Sequence, residues 1–442
     1  MALSLQRYTW TNATSRFTQL LKERSRKQRE KSMLIPIKNV DHLPENLIVE
    51  ILSWLPMKDL MRYKTINKSW YAIISSPDFV SKHLKNYYKN NDDWRGCLLV
   101  QHYVTHAELQ VFELFLDEIT GVSLADEVLY SMPLYSSYIS GPCDGLYYIY
   151  QYDFSGRALW NPALDEIRYL PKLICKPDLP PTFTYSNYEV YGFGSDPVTG
   201  DYKVVVIKGY WPTDDDSDVK HPLSVLVYSL RTNLWKYCGD LAKAYDLESN
   251  KCYIFVSGCC YWLGSYENTS DVIVCFDMAT DAFKEIHVPD YAQPCTKCLA
   301  VYDDSLAFLS LHDDKNLDIW TWNEGSWTKT LSVGPFPDVR GPIGHWKDNR
   351  LILQCEDGKL VMLDQDDNQG LKDIGFQNNR WCEGVYAYME SLVSIKDKNE
   401  SAQPEEEDAE DNQTEEVKVE DKQTKEVEAD DEVDVNVSAL FD

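Results

Sequence analysis

Apolar residues recur with two different periods along this chain, and the change of period divides it. Leu43, Leu47, Ile51 and Leu55 fall every fourth residue, with Ile48 and Leu52 beside them. That spacing predicts one apolar face of a helix about three turns long. Pro44 suits its first position, where the missing N–H is no loss. Pro56 stops it, because the residue before a proline is pushed out of the α region. A second short helix is predicted from Lys58 to about Ile66, carrying Leu60, Met61 and Tyr63. Asn67 is placed to cap a third helix with Trp70, Ile73 and Ile74. Ser76 and Pro77 open a fourth, with Phe79, Val80 and Leu84 on one face.

From Gly96 onward, short runs of β-branched and aromatic residues alternate with Gly, Pro, Asn and Asp turns. One phrase repeats: a strand ends, a polar turn reverses it, and a second strand begins. Residues 159–171, 227–236, 275–286 and 319–329 carry it, and 361–366 carries it more weakly. A further apolar run precedes each phrase, at 145–150, 202–208, 258–264, 305–311 and 350–355. The last four phrases are spaced by about 43 to 48 residues, the length that four strands with turns need in a β-propeller blade. Residues 211–222 (WPTDDDSDVKHP) lengthen the first interval as a loop. The units count to roughly six blades between Cys97 and Phe376. The last run, from Gly384, has no blade of its own. It is expected to pair with the run at Cys97 and close the ring without an exposed edge. A two-sheet sandwich is the alternative.

The expected fold class is therefore a small all-α helical bundle followed by an all-β domain, a β-propeller of about six blades, with a disordered acidic C-terminal tail. The expected boundaries are a basic, disordered leader at 1–36, the bundle at 37–90, the β domain at 96–395 and the tail at 396–442.

So few helical residues bury too little surface to be stable alone. The bundle either packs on the rest of its own chain or offers part of its apolar face to a partner helix. The residues LPENLIVEILSWLPMKDLMRYKTINKSWYAII resemble an F-box: the opening Leu43-Pro44, the Leu55-Pro56 break, the start at Lys58 and Leu60, and Trp70 as the plug of the bundle. The resemblance implies binding to a Skp-type adaptor, and through it to a cullin–RING ubiquitin ligase, by Leu43, Pro44, Leu47, Ile51, Leu55, Pro56 and Leu60. The stretch at 141–146 (GPCDGL) and Asn161-Pro162 with Leu170-Pro171 resemble the F-box-associated domain of plant F-box proteins. So do Gly192-Phe193-Gly194, the run at 201–205 and that at 276–280. Trp346-Lys347 with the run at 351–355 resembles S-locus F-box proteins in particular. That likeness implies a protein target bound for ubiquitination, a basic style ribonuclease in the S-locus case.

The formal net charge is −28, and 19 acids against 5 lysines in residues 396–442 account for half of it. An acidic body opposes nucleic-acid binding, which needs a basic footprint, and favours encounter with a basic protein. Trp211, Asp214, Asp215 and Asp216 in the loop are the candidate target contacts. The tail has almost no aromatic residues and cannot bury enough surface to fold; its lysines are candidates for modification by the ligase. No window is apolar enough to span a membrane, and no secretory signal is evident at the start. The twelve cysteines lack a framework spacing, so free thiols in a cytoplasmic location, or also a nuclear one, are expected. No catalytic, cofactor or metal residue is expected. Gly192-x-Gly194 precedes Asp196-Pro197 and no helix, so it is no dinucleotide loop. The alternative function is a β-propeller glycan-binding module or enzyme, whose helical bundle would bury Leu47 and Ile51 within the chain.

Overall fold

The computed structural model describes residues 44–89, 97–104, 109–116, 130–131, 137–151, 156–173, 183–212, 223–248, 253–266, 270–291, 295–345, 350–363, 370–374 and 381–396. Leu43, the leader, the tail and Asp214 to Asp216 lie outside them.

Among the described residues, four helices come first: α1 (Glu45–Leu52), α2 (Met57–Tyr63), α3 (Lys68–Ser75) and α4 (Pro77–Lys89). Two of the expected starts are shifted by a residue. Pro44 stands as the cap before α1 and not in its first position, and α2 begins at Met57, one residue before Lys58, with Pro56 as its cap; both prolines have extended backbone. Helix α1 is shorter than its apolar spacing predicts. The N–H groups of Trp54 and Leu55 bond to the carbonyls three residues back, so the chain tightens out of the helix before Pro56. The Asn67 side chain accepts from Trp70 N at 2.8 Å, as a cap should. Ser76 does the same for Phe79 N at 3.2 Å.

Among the described residues the strands form six antiparallel sheets. The first holds β1 (Cys97–Val104), β2 (Leu109–Leu116), β3 (Tyr130–Ser131) and, from the far end of the chain, β25 (Trp381–Tyr388). The second runs β4 (Ser137–Cys143), β5 (Leu146–Gln151), β6 (Arg157–Asn161), β7 (Glu166–Tyr169). The third runs β8 (Phe183–Ser195), β9 (Tyr202–Pro212), β10 (Ser224–Ser229), β11 (Leu234–Asp240). In the fourth, β12 (Tyr245–Leu247) and β13 (Tyr253–Val256) share one edge of β14 (Cys259–Tyr266), followed by β15 (Ser270–Asp277) and β16 (Ala282–His287). The fifth is β17 (Cys295–Tyr302), β18 (Ser305–His312), β19 (Leu317–Asn323), β20 (Ser326–Val333). The sixth is β21 (Val339–His345), β22 (Leu351–Cys355), β23 (Leu360–Leu363), β24 (Leu371–Asp373). β25 pairs with β1 in the register Cys97 to Tyr388, so the two ends of the β domain meet in one sheet.

In the five sheets built from β4 to β24, burial falls from the second strand to the last. All residues of β5 and β22 are buried, whereas β16, β20 and β24 are mostly exposed. Second strands are covered on both faces, which is why they read as unbroken apolar runs without alternation. The repeated phrase marks the hairpin between third and fourth strands. Asp165, Asn233, Asp281 and Glu324 adopt left-handed φ of 49° to 58° in these turns. Asn161 and Asp277 steady two of the turns by accepting from the backbone N–H two and three residues on.

The helical bundle is fixed to the β domain by the segment after β25. Leu392 is 2% exposed and lies in the bundle's own core with Leu52, Met57, Leu60, Ile74 and Phe79, against Ala163 and Leu164 of the β6–β7 turn. Asn161 Nδ2 donates to Val393 O at 2.7 Å and to Ser391 O at 3.1 Å. Glu166 accepts from Ile395 N at 2.8 Å. Gly145, at φ +77°, lets this segment pass: a Cβ there would lie 2.5 Å from Ser391 Cβ. Leu392→Ala is expected to remove about 2–5 kcal/mol of bundle stability. In calorimetry the bundle should then melt before the β domain; a single unsplit transition at the original temperature would count against this coupling.

Candidate functional site

The apolar surface of the described residues is concentrated in the helical bundle. Of ten exposed large apolar side chains among the described residues, six are Leu47, Ile51, Trp54, Met61, Ile66 and Tyr71, all in the short helices or the turns between them. Leu47 and Ile51 are each 47% exposed, and their spacing of four places them on one face of α1. A Trp54 Nε1 to Glu50 Oε1 bond of 3.0 Å fixes the indole after the same helix, and Glu50 is paired with Lys82 of α4.

The residues singled out from the sequence divide. Pro44, Leu47, Ile51 and Pro56 are exposed and Leu55 is half-buried, so these can meet a partner. Leu60 cannot: it is 0% exposed and packs inside the bundle, so its role is to hold the face from behind. Trp70 is half-buried against the core, edge-on to Tyr63 at 5.2 Å, while the fully enclosed residues are Leu60 and Ile74. Trp54, Met61, Ile66 and Tyr71 were not singled out. The available signal was that each is a large apolar residue in or beside these short helices.

His83 shapes this region from α4. Its Nε2 lies 3.0 Å from the carbonyl of Leu55, which only accepts, so Nε2 carries the proton. Nδ1 is buried without a partner. Burial pushes the ring's pKa below its ordinary 6.5, outweighing the bond to Leu55. The unfolded chain therefore binds a proton that the folded bundle refuses. This part of the stability is complete above the unfolded value near 6.5 and is lost as pH falls from there toward the folded value. The expected NMR titration midpoint of the His83 ring is below 6.5, and His83→Gln should reduce the loss of bundle stability between pH 7.5 and 5.

In the β domain, Trp211 sits near the end of β9, its backbone paired with Thr184. Gly192 and Gly194 are strand residues of β8, not a phosphate loop. A Cβ on them would lie 2.6 Å from the Trp262 ring and 2.2 Å from the Phe255 ring, so they serve close packing. Among the described residues, no group of three His, Cys, Asp or Glu side chains is arranged to hold a metal ion.

Residues 118–395 match the model of the F-box associated beta propeller domain. The chain belongs to this family. Residues 40–82 match the F-box domain, the segment that carries the exposed apolar face. Among curated relatives, the F-box protein At3g08750 of Arabidopsis thaliana is 26% identical over 71% of this chain and 76% of its own. The F-box protein CPR1 of the same plant is 26% identical over 73% of this chain and 82% of its own. Among solved structures, TolB from Acinetobacter baumannii covers 71% of this chain and 73% of its own, with 10% identity and a TM-score of 0.42. This F-box protein thus presents its apolar face on the element that its family model identifies, with the β domain bolted behind it through Leu392 and Asn161.

Proposed function

We propose that this F-box protein is the substrate-recognition subunit of an SCF-type ubiquitin ligase. The exposed Leu47 and Ile51 carry the reading: a bundle that buries Leu52, Leu60 and Ile74 leaves a second apolar face open. That is what a helix-binding partner requires. The adaptor engages α1, and the β domain holds the target. The protein acts by proximity, raising the concentration of target lysines at the charged conjugating enzyme, and needs no chemistry of its own. The rival reading, a bundle that hides Leu47 and Ile51 within its own chain, is disfavoured by their exposure.

Three finer readings belong to the same proposal. The six sheets form six blades of one ring, supported by the pairing of β25 with β1. The target is a basic protein, a secreted ribonuclease if the S-locus likeness at 346–355 extends to function, supported by the net charge of −28. The protein works in the cytoplasm or nucleus, supported by cysteines without a disulfide-framework spacing.

The test is capture of a Skp-type adaptor by the intact chain, beside the double variant Leu47→Asp with Ile51→Asp. Capture by the intact chain alone supports the proposal. No capture by the intact chain overturns it.

A further inference from the structure

The inner strands of five sheets, together with β25, surround a cavity of about 130 Å³. That is close to the ~150 Å³ of an engineered cavity that admits benzene. Its walls are largely apolar, from residues such as Leu299, Leu309, Ile343 and Val385. Two tyrosine rings, Tyr150 and Tyr191, lie with centroids 3.9 Å apart on one side.

The polar groups of the wall fall into two kinds. Three tyrosine hydroxyls are committed to the protein. Tyr191 donates to Glu189, Tyr253 bonds to the backbone of Phe193, and Tyr386 is 3.3 Å from both Gln101 Oε1 and Ile139 O. The hydroxyls of Ser140 and Tyr150 and the ring of His345 have no protein hydrogen-bond partner among the described residues. Ser140 and Tyr150 are each only 6% exposed, and their hydroxyls are not among the fully enclosed unpaired atoms, so the cavity gives them access to a small molecule or water. A hydroxyl that faces a cavity and bonds no protein group is a place for a ligand or ordered water. His345 is half-buried and sits where β21 ends. Burial lowers its pKa, so at neutral pH its ring offers one donor and one acceptor.

No Asp, Glu, Lys or Arg lines this wall among the described residues. A charged ligand would enter without a counter-charge. A sugar ring would bring more hydroxyls than Ser140, Tyr150 and His345 can satisfy. A single aromatic ring bearing one or two hydroxyls matches the size, the aromatic and apolar wall and the three polar groups together. From this geometry we propose that the cavity is a binding site for an uncharged phenolic ring. The ring belongs either to a free small molecule or to a tyrosyl side chain of a bound protein. This site is separate from the adaptor face and stands whether or not the ligase reading does.

The experiment is saturation-transfer NMR on the full chain with phenol, N-acetyltyrosinamide and methyl glucoside as probes at millimolar concentration. Phenol should receive saturation, with at least a threefold loss of affinity in Tyr150→Phe and no transfer in Ala300→Leu, which fills the wall at a 4% exposed position. If Ala300→Leu does not fold, Tyr150→Phe decides alone, since it removes one oxygen and leaves the ring. Transfer to N-acetyltyrosinamide as well assigns a tyrosyl source; transfer to phenol only assigns a free molecule. No transfer to phenol, equal transfer in Tyr150→Phe, or displacement of phenol by methyl glucoside would each overturn the proposal.

Discussion

Replacing Leu47 and Ile51 together by Asp should reduce adaptor affinity by about a thousandfold while the bundle loses stability by less than that and stays folded. Each side chain is already 47% exposed, so the folded chain loses only about half of each apolar area, worth about 1 kcal/mol apiece. The helix-propensity cost of two Asp residues is on the order of 1 kcal/mol in total. In the complex the balance differs. Each native side chain has roughly half its area left to bury, worth about 1 kcal/mol apiece. Each Asp would instead carry an unpaired charge into an apolar contact, at about 1–3 kcal/mol or more. Together these reach about 4 kcal/mol, which is three orders of magnitude in Kd. Leu60→Ala is the contrasting control. Leu60 is enclosed, so its truncation should cost about 2–5 kcal/mol of stability and weaken adaptor binding only through unfolding. Titration calorimetry beside thermal melts separates the two variants. Equal affinity in the double Asp variant would remove α1 from the interface.

Glu189→Ala is expected to be the most damaging single change in the β domain, at about 3–5 kcal/mol. The Glu189 side chain is 0% exposed and sits between Arg157 of β6, at 2.7 Å, and Lys208 of β9. Tyr191 donates to the same carboxylate. Removing the carboxylate would leave two cations in the interior, at 9% and 11% exposure, without their shared partner. Burial pushes the Glu189 carboxyl up, but Arg157 and then Lys208 outweigh it and hold the group below the ordinary carboxylate range. The sign follows: its folded pKa is depressed, so its stabilisation is complete above the ordinary value of 4.5 and is lost as pH falls through the lower folded value. Urea unfolding at pH 7 should show the full loss of midpoint in Glu189→Ala, and the gap to the native chain should narrow in acid. A loss under about 1 kcal/mol at pH 7 would mean that water reaches the cluster and solvates the cations.

These two sites differ in how far they could be read in advance. The fourfold spacing of Leu47 and Ile51 is local, and a helix turns that spacing into a face without help from the rest of the chain. The same pattern could not separate Leu60 from them. Leu60 is apolar and helical too, and only the packing of α3, α4 and Leu392 around it decides that it is enclosed. Glu189 gave no sign at all. It stands in a strand between tyrosines, where a solvent-facing carboxylate would look the same; its partners are 32 residues before it and 19 after. The cavity behaves likewise. Ser140, Tyr150 and His345 lie on three separate strands, β4, β5 and β21, and share a wall only once the sheets are assembled.

The sequence by itself determined the periods: helical spacing in residues 44–89, then short apolar runs with left-handed turn residues at recurring intervals. From these follow four helices and the hairpins, because turn chemistry and side-chain period act over a few residues. Tertiary structure decided what contact over long sequence distances must decide. It sank Leu60 while leaving Leu47 open, placed Leu392 in the core of a bundle more than 300 residues earlier, and closed Glu189 between two cations. Burial and partnership depend on which surfaces meet, and in this chain the surfaces that matter meet across sheets.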